Sequence, residues 1–313
     1  MEKYSRWRDA GTGIQPFLPP APVKIQKRAG RVALDFCRSY LFGPLLGATR
    51  VLLLGPMVLM ALVGETLCSL TVTLKKGRAT SPAGTDTIRH GDLILANHVS
   101  YIDVLYLYTK YNPMFVRQDP TATQPDRFSA IPFREAFWGC TTCPRNDAKG
   151  TSTTLSALTR DARRKGSGPI VLFIEGTTSN GRALLHPLET FRTGEDVDPE
   201  TRLHLLLFKY SLTYPSPAFP IGNLPWHVLR QCCQFDNPLQ VKQLNQHETP
   251  KMAEIEAALR GKAPSGSGET DMNTQIAQLL ANMGRLRITK LGFREKATFL
   301  EYYKQQTGGK TRR

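Results

Sequence analysis

The sequence predicts an α/β domain with an apolar helical segment ahead of it. Three observations carry this. Asp92-Leu-Ile-Leu-Ala-Asn97 and Pro169-Ile-Val-Leu-Phe-Ile174 are short apolar runs, the pattern of strands buried on both faces. Thr151–Arg164 sets Leu155, Leu158 and Ala162 at helical spacing and ends on basic residues, as an amphipathic helix does. Residues 41–74 carry only Arg50 and Glu65 as charged side chains. An all-helical membrane bundle would need several more apolar stretches than the chain has.

In chain order, residues 1–32 hold Pro16-Phe-Leu-Pro-Pro-Ala-Pro22 and scattered basic groups, and read as an extended, proline-stiffened arm. Residues 33–80 read as a membrane-associated segment. Their longest charge-free stretch, Val51–Gly64, has fourteen residues. That is short of the roughly 20 of a full span but suits a re-entrant or interfacial helix. Pro44 and Pro56 place kinks in it. The flanks Arg31, Arg38, Lys75, Lys76 and Arg78 favour a membrane-embedded hairpin or tilted span over a buried core helix. Basic groups on both sides leave the orientation open.

Residues 81–245 form the α/β domain. A Ser81-Pro-Ala-Gly-Thr-Asp86 loop leads into the first strand, and a less regular stretch with Pro113, Pro120, Pro125 and Pro132 follows. The amphipathic helix, a Gly166-Ser-Gly-Pro169 turn, the second strand and a third at Leu203–Tyr210 complete it; helix followed by strand twice over is the α/β signature. Residues 246–313 read as a helical, basic C-terminal region. Thr249-Pro250 opens one helix to Arg260, Ala263-Pro-Ser-Gly-Ser-Gly268 is a flexible linker, and Asp271–Met283 is a second short helix.

Composition narrows the function classes. A chain of 313 residues buries a full core without a disulfide or metal to hold it. Its 41% hydrophobic and 21% charged residues exclude wholesale disorder. Lys and Arg number 41 against 26 Asp and Glu, and the net +15 favours anionic partners: nucleic acid, acidic lipid head groups or phosphorylated substrates. Six cysteines are too sparse for a disulfide scaffold, and no cleavable secretory segment opens the chain, so a reduced environment is expected. No GxGxxG, GxxxxGK[ST] or GxSxG pattern occurs, which argues against dinucleotide oxidoreduction, P-loop hydrolysis and serine-hydrolase chemistry. Cys140-Thr-Thr-Cys143 lacks a second CxxC, and adjacent Cys232 and Cys233 suit one tetrahedral metal poorly, so ordinary thiols are expected. Nucleic acid is not an expected partner, because no binding motif accompanies the charge.

Two strand-end motifs remain. Asn97-His98-Val-Ser100-Tyr-Ile-Asp103 follows the first strand. If the next turn is helical, Asp103 folds back to one imidazole nitrogen, fixes the tautomer and leaves the other nitrogen basic. The alternative is a histidine satisfied by local hydrogen bonds. Glu175-Gly176-Thr177-Thr178-Ser179-Asn180 follows the second strand, and a small-residue turn there presents N–H groups and hydroxyls that can cradle a phosphate or an alcohol. Glu175 could meet a substrate hydroxyl or cap a following helix.

Together, NHxSxxD and EGTxS resemble the glycerolipid acyltransferases, the lysophosphatidic acid acyltransferase superfamily, in their order and in their roughly seventy-residue separation. The resemblance covers about 85–240 and implies a mixed sheet flanked by helices. It implies acyl-CoA as co-substrate, no tightly bound cofactor and no metal, a lysophospholipid acceptor, and anionic membrane lipids as partners; protein partners stay unknown. It carries the catalytic role to His98 and Asp103, and substrate contact to Asn97, Ser100 and the turn Glu175, Gly176, Thr177, Thr178 and Ser179. Arg145, in Cys143-Pro-Arg-Asn-Asp147, stands where the family has a phosphate-binding arginine. A fourth block is faintly matched by Leu206–Tyr210, with leucines where a proline is expected. The chain's opening and its EGTTSNG form resemble a fungal branch at the endoplasmic reticulum membrane and lipid droplets, which implies that localisation.

Ile174 and Thr178 replace the proline and arginine of the family's usual PEGTRS, and a missing guanidinium removes a bidentate phosphate ligand. Arg145 with Arg182 or Lys209 would then hold the phosphate, or the acceptor is another lysophospholipid, such as lysophosphatidylcholine or lysophosphatidylethanolamine. The expected reaction is direct acyl transfer to lysophosphatidic acid with His98 as general base. Another acceptor remains open, as does a non-catalytic membrane adaptor retaining the fold, which loss of His98 or Asp103 would mark.

Overall fold

Strand β1 (Leu93–Ala96) is buried along its whole length and lies inside a six-stranded mixed sheet. The other strands are β2 (Met114–Gln118), β3 (Phe128–Ile131), β4 (Ile170–Phe173), β5 (Leu203–Tyr210) and β6 (Leu239–Gln243), in the order β3-β2-β4-β1-β5-β6. The inner four are parallel, while β3 and β6 pair antiparallel at the edges. The computed structural model describes residues 3–20, 42–50, 52, 87–118, 127–140, 153–191, 198–211, 216–234, 239–261 and 272–308.

Seven helices are labelled: α1 (Tyr101–Tyr111), α2 (Phe133–Gly139), α3 (Leu155–Lys165), α4 (Leu224–Cys232), α5 (Met252–Gly261), α6 (Met272–Gly284) and α7 (Phe293–Gly308). Successive strand side chains face opposite sides of a sheet, and the core divides accordingly. Leu93, Leu95, Leu172, Leu205 and Leu207 pack with α3 and α6 residues such as Leu155 and Leu280. Ile94, Ala96, Val171, Leu206, Phe208 and Tyr210 pack with α1 through Tyr101, Val104 and Leu107. Continuous apolar runs in β1 and β4 are what a parallel strand covered on both faces requires.

Helix ends follow local chemistry. Ser100 caps α1 and accepts from the Ile102 N–H, while Asp103 accepts from the Ser100 N–H in a capping box. Thr154 caps α3, and Gly166 ends it at φ 66°. Residues 3–20 pack on α7: Trp7 and Phe17 are buried against Phe299, and Asn180 Nδ2 donates to the carbonyls of Gln15 and Leu18.

The mixed α/β sheet flanked by helices is observed, but the membrane-embedded segment expected ahead of it is corrected. Among the described residues, no helix is long and apolar enough to cross a membrane. Within 41–74 the description covers a helical stretch at 43–50, its neighbour Phe42, and Leu52; the rest lies outside the described residues. Arg50 of this stretch donates to the carbonyls of Cys232 and Gln234 at the end of α4, so this part is bonded to the domain. The transmembrane assignment is therefore withdrawn. With it goes the localisation at the endoplasmic reticulum membrane and lipid droplet as an integral protein.

Candidate active site

Parallel strands β1 and β4 are neighbours, and each ends in one of the two sequence motifs. The motifs clasp each other through the His98 backbone. Its N–H donates to Glu175 Oε2 at 2.7 Å, and its carbonyl accepts from the Ser179 N–H at 2.9 Å. The site is thus assembled by strand adjacency, from residues 77 positions apart.

The His98 side chain is held on three sides. Nδ1 lies 3.2 Å from Asp103 Oδ2. The same oxygen accepts the N–H groups of Val99 and Ser100 at 2.7 and 2.9 Å, and Tyr210 Oη donates to Oδ1. With only acceptor oxygens facing it, Nδ1 carries the hydrogen and Nε2 is left to accept. The Phe173 ring stacks on the imidazole, with centroids 4.0 Å apart. Cys140 Sγ, at the end of α2, sits 3.3 Å from Nε2 and lies 3.5 Å from the Ala136 carbonyl, which accepts its hydrogen. Burial pushes the Cys140 thiol far above the usual range, and the Asp103 carboxylate adds to this, so the group is a neutral S–H. Buried His98 thus has Nε2 free of a hydrogen and facing the Cys140 sulfur, the state from which an imidazole can accept a proton.

Other motif residues build this arrangement. The Asn97 amide donates to the Phe208 carbonyl and accepts the Phe208 N–H, tying β1 to β5. Ser100 Oγ donates to the Pro217 carbonyl at 2.7 Å. Glu175 caps no helix: Oε2 takes the His98 N–H and Oε1 the Leu185 N–H, both at 2.7 Å. Burial pushes its carboxyl up to about 8, while the two backbone donors and the Lys296 ammonium pull it down. Gly176 has φ 64°, and a Cβ there would stand 2.5 Å from Leu188 Cδ1, so this turn needs glycine. Thr178 Oγ1 donates to the Cys140 carbonyl at 3.2 Å, joining the turn to α2, and Thr177 is buried beside it.

The expected phosphate ligands divide. Lys209 lies on β5 next to Tyr210 and therefore faces the opposite side of the sheet, where its Nζ donates to the Gly284 carbonyl at the end of α6. The structure does not bring it to His98. Arg182 is exposed beyond the turn. Arg145 lies outside the described residues. Sequence reasoning missed Tyr210, Cys140, Phe173 and Lys296 as neighbours of the site. Their positions in apolar or basic stretches carry no spacing signal, and only the end of β5 could have hinted at Tyr210. Among the described residues, no group of three or more His, Cys, Asp or Glu side chains is placed to hold a metal.

Residues 75–194 match the family model described as Acyltransferase. A Schizosaccharomyces pombe protein named, provisionally, a lysophosphatidic acid:oleoyl-CoA acyltransferase is 25% identical over 324 aligned positions, covering 96% of this chain and 98% of that one. A lysophospholipid acyltransferase of Arabidopsis thaliana is 29% identical over 222 positions, 69% of this chain but 50% of the plant protein. No solved structure matches. The general activity these likenesses support is acyl-CoA-dependent acyl transfer. Residues 75–194 hold a domain of the glycerolipid acyltransferase kind, related at low identity to lysophospholipid acyltransferases.

Proposed function

We propose that the chain esterifies the free hydroxyl of lysophosphatidic acid with the acyl group of acyl-CoA, forming phosphatidic acid. The observation that carries this reading is the 3.2 Å contact between His98 Nδ1 and Asp103 Oδ2, which leaves Nε2 as the acceptor. The acceptor hydroxyl takes the place held by the Cys140 S–H. Its oxygen attacks the thioester carbonyl as Nε2 removes its proton. Asp103 steadies the imidazolium, the tetrahedral intermediate collapses with cleavage of the C–S bond, and His98 returns the proton to the CoA thiolate. Arg145 and the Glu175–Ser179 turn place the glycerol phosphate. Fixing a hydroxyl against a thioester supplies much of the rate by replacing a bimolecular collision.

A second acceptor class has an observation in its favour. Thr178 stands where the family has an arginine, and its hydroxyl is bonded to the Cys140 carbonyl, so this position offers the phosphate no guanidinium. A lysophospholipid with an esterified phosphate needs less cationic contact. One experiment separates the readings: purified wild type and H98A are assayed with one acyl-CoA against lysophosphatidic acid, lysophosphatidylcholine, lysophosphatidylethanolamine and glycerol 3-phosphate. Preference for lysophosphatidic acid, lost in H98A, is the expected result. Transfer that persists unchanged in H98A overturns the mechanism, and preference for a zwitterionic acceptor overturns the substrate.

A further inference from the structure

Among the described residues, the one lysine that ranks with the largest fully buried side chains belongs to α7, beyond the residues that match the family model. Lys296 is 1% exposed. Its Nζ donates to the Thr178 carbonyl at 2.8 Å and to the Pro220 carbonyl at 2.6 Å, and lies 5.3 Å from the centre of the Phe17 ring. Three separate pieces of chain thus meet at one ammonium: the Glu175–Ser179 turn, the 216–220 segment and the N-terminal residues 3–20. One of them bonds His98 itself and another bonds its neighbours Val99 and Ser100. Ser179 N–H holds the His98 carbonyl, and the 216–220 segment holds Ser100 Oγ through Pro217 and the Val99 carbonyl through the Phe219 N–H.

We propose that Lys296 is a positioning residue for acyl transfer: from behind the Glu175–Ser179 turn its ammonium fixes the Thr178 and Pro220 carbonyls and supplies, from the C-terminal helix, the positive charge that the turn itself lacks at Thr178. The inference rests on the acyltransferase reading. A buried ammonium is costly without bonding partners, and backbone carbonyls aimed at it satisfy it while orienting the turn's other groups away from it. Charge in this place also acts on the site. The ammonium draws down the carboxyl of Glu175, whose Oε2 holds the His98 N–H. The groups acting on Glu175 are the N–H donors of Leu185 and of His98 at the end of β1, the Asp103 carboxylate from α1 and the Lys296 ammonium from α7. Asp103 pushes Glu175 up, and Lys296 opposes it.

The test compares wild type, K296M and K296R, with F17L as a milder perturbation that leaves the lysine in place. Folding is checked by thermal unfolding, and kcat, both KM values and the pH profile of kcat are measured. K296M should lose roughly 10–100-fold in kcat, the scale of a displaced catalytic group, with the acyl-CoA KM unchanged. Removing the cation lets Glu175 hold its proton to higher pH, so the acid limb of the profile should move upward in K296M. K296R keeps the charge and should retain the wild-type limb with an intermediate kcat. F17L should lower kcat less than K296M and keep the limb. Wild-type kcat and pH profile in folded K296M overturn the inference. Equal losses in K296M and K296R with an unmoved limb overturn it too, leaving a purely structural lysine. If K296M does not fold, K296R and F17L decide: an intermediate kcat supports the inference and wild-type kcat in both overturns it. H98A, run alongside, keeps the two readings apart. Wild type inactive on every acceptor sinks the function and Lys296's part in it, whereas wild type active and H98A inactive leaves only Lys296 on trial.

Discussion

Tyr210 Oη donates to Asp103 Oδ1, so the last residue of β5 holds the carboxylate that holds His98. Burial and the Asp103 charge both push this phenol well above its usual range, which keeps its hydrogen available for the bond. Replacing it with Phe keeps the ring in the core and removes one charge-assisted donor. Y210F should lose about 1.5–3 kcal/mol of stability. Turnover should fall by about tenfold, since Asp103 keeps its other donors and only its aim loosens. Urea unfolding and steady-state kinetics on the same preparation check both, and an unchanged turnover would remove Tyr210 from the catalytic arrangement.

Asp103 has a double duty, as orienter of His98 and as partner in the cap of α1. In D103N an amide nitrogen must either take the Oδ2 position, facing the His98 ring and the N–H groups of Val99 and Ser100 together, or take the Oδ1 position and face Tyr210 Oη. Turnover should fall by about 10⁴-fold, the scale seen when a histidine base is left in the wrong tautomer. D103N should also unfold at lower temperature, which calorimetry reads directly. A folded D103N with a tenfold loss or less would mean that His98 works without its carboxylate.

Cys140 offers a sharp test of whether an acyl-enzyme forms. Asp103, His98 and Cys140 are linked in series, at 3.2 Å and 3.3 Å, the order of a thiol nucleophile with its base and orienter. The thiol is nevertheless pushed strongly toward its neutral form by burial, whereas reactive thiols lie low. C140A should therefore keep turnover within about threefold, since direct transfer takes its proton from the substrate hydroxyl. Abolished turnover in folded C140A, with a thioester on Cys140 seen by mass spectrometry in wild type, would replace direct transfer by a two-step route.

Much of this site was legible where pattern and geometry share a cause. β5 is observed over the predicted Leu203–Tyr210, and β1, β4, α3 and α6 lie within a few residues of their predicted spans, because buried strands and capped helices write themselves into the order of apolar residues. The stretch with Pro113 and Pro132 was read as irregular, yet holds β2 and β3. Both prolines sit outside the strands, and Pro132 serves as the cap residue of α2. Helix α7 falls in the region read only as helical and basic, with no span of its own, since Arg294, Lys296 and Lys304 mask a face whose Phe299 and Leu300 are buried. The His98–Asp103 pair was visible as a spacing. Tyr210, Cys140 and Lys296 reach it only through tertiary packing, which no local pattern encodes. Lys209 is kept from His98 for a simple reason: alternation along β5 sends it to the other face.

Glu175 gives the last prediction. Its carboxyl is pushed up to about 8 in the fold by burial, against an ordinary value of 4.5. Between those two values the native chain holds a proton that the unfolded chain has released. Stability from this group is therefore fully present below pH 4.5 and is lost as pH rises through about 8. A single proton gives a slope of at most about 1.4 kcal/mol per pH unit across that window. E175Q is neutral at every pH, so it lacks this slope, although its amide must turn one N–H toward the His98 or Leu185 donor. It should be less stable than wild type near pH 5, and the gap should narrow as pH rises toward 8.5. Urea midpoints of both proteins at pH 5, 6.5 and 8.5 measure the gap, and every other titrating group cancels in the difference. A gap that stays constant or widens with pH would mean that Glu175 is already a carboxylate at pH 5, held by its two backbone donors against the burial that opposes it.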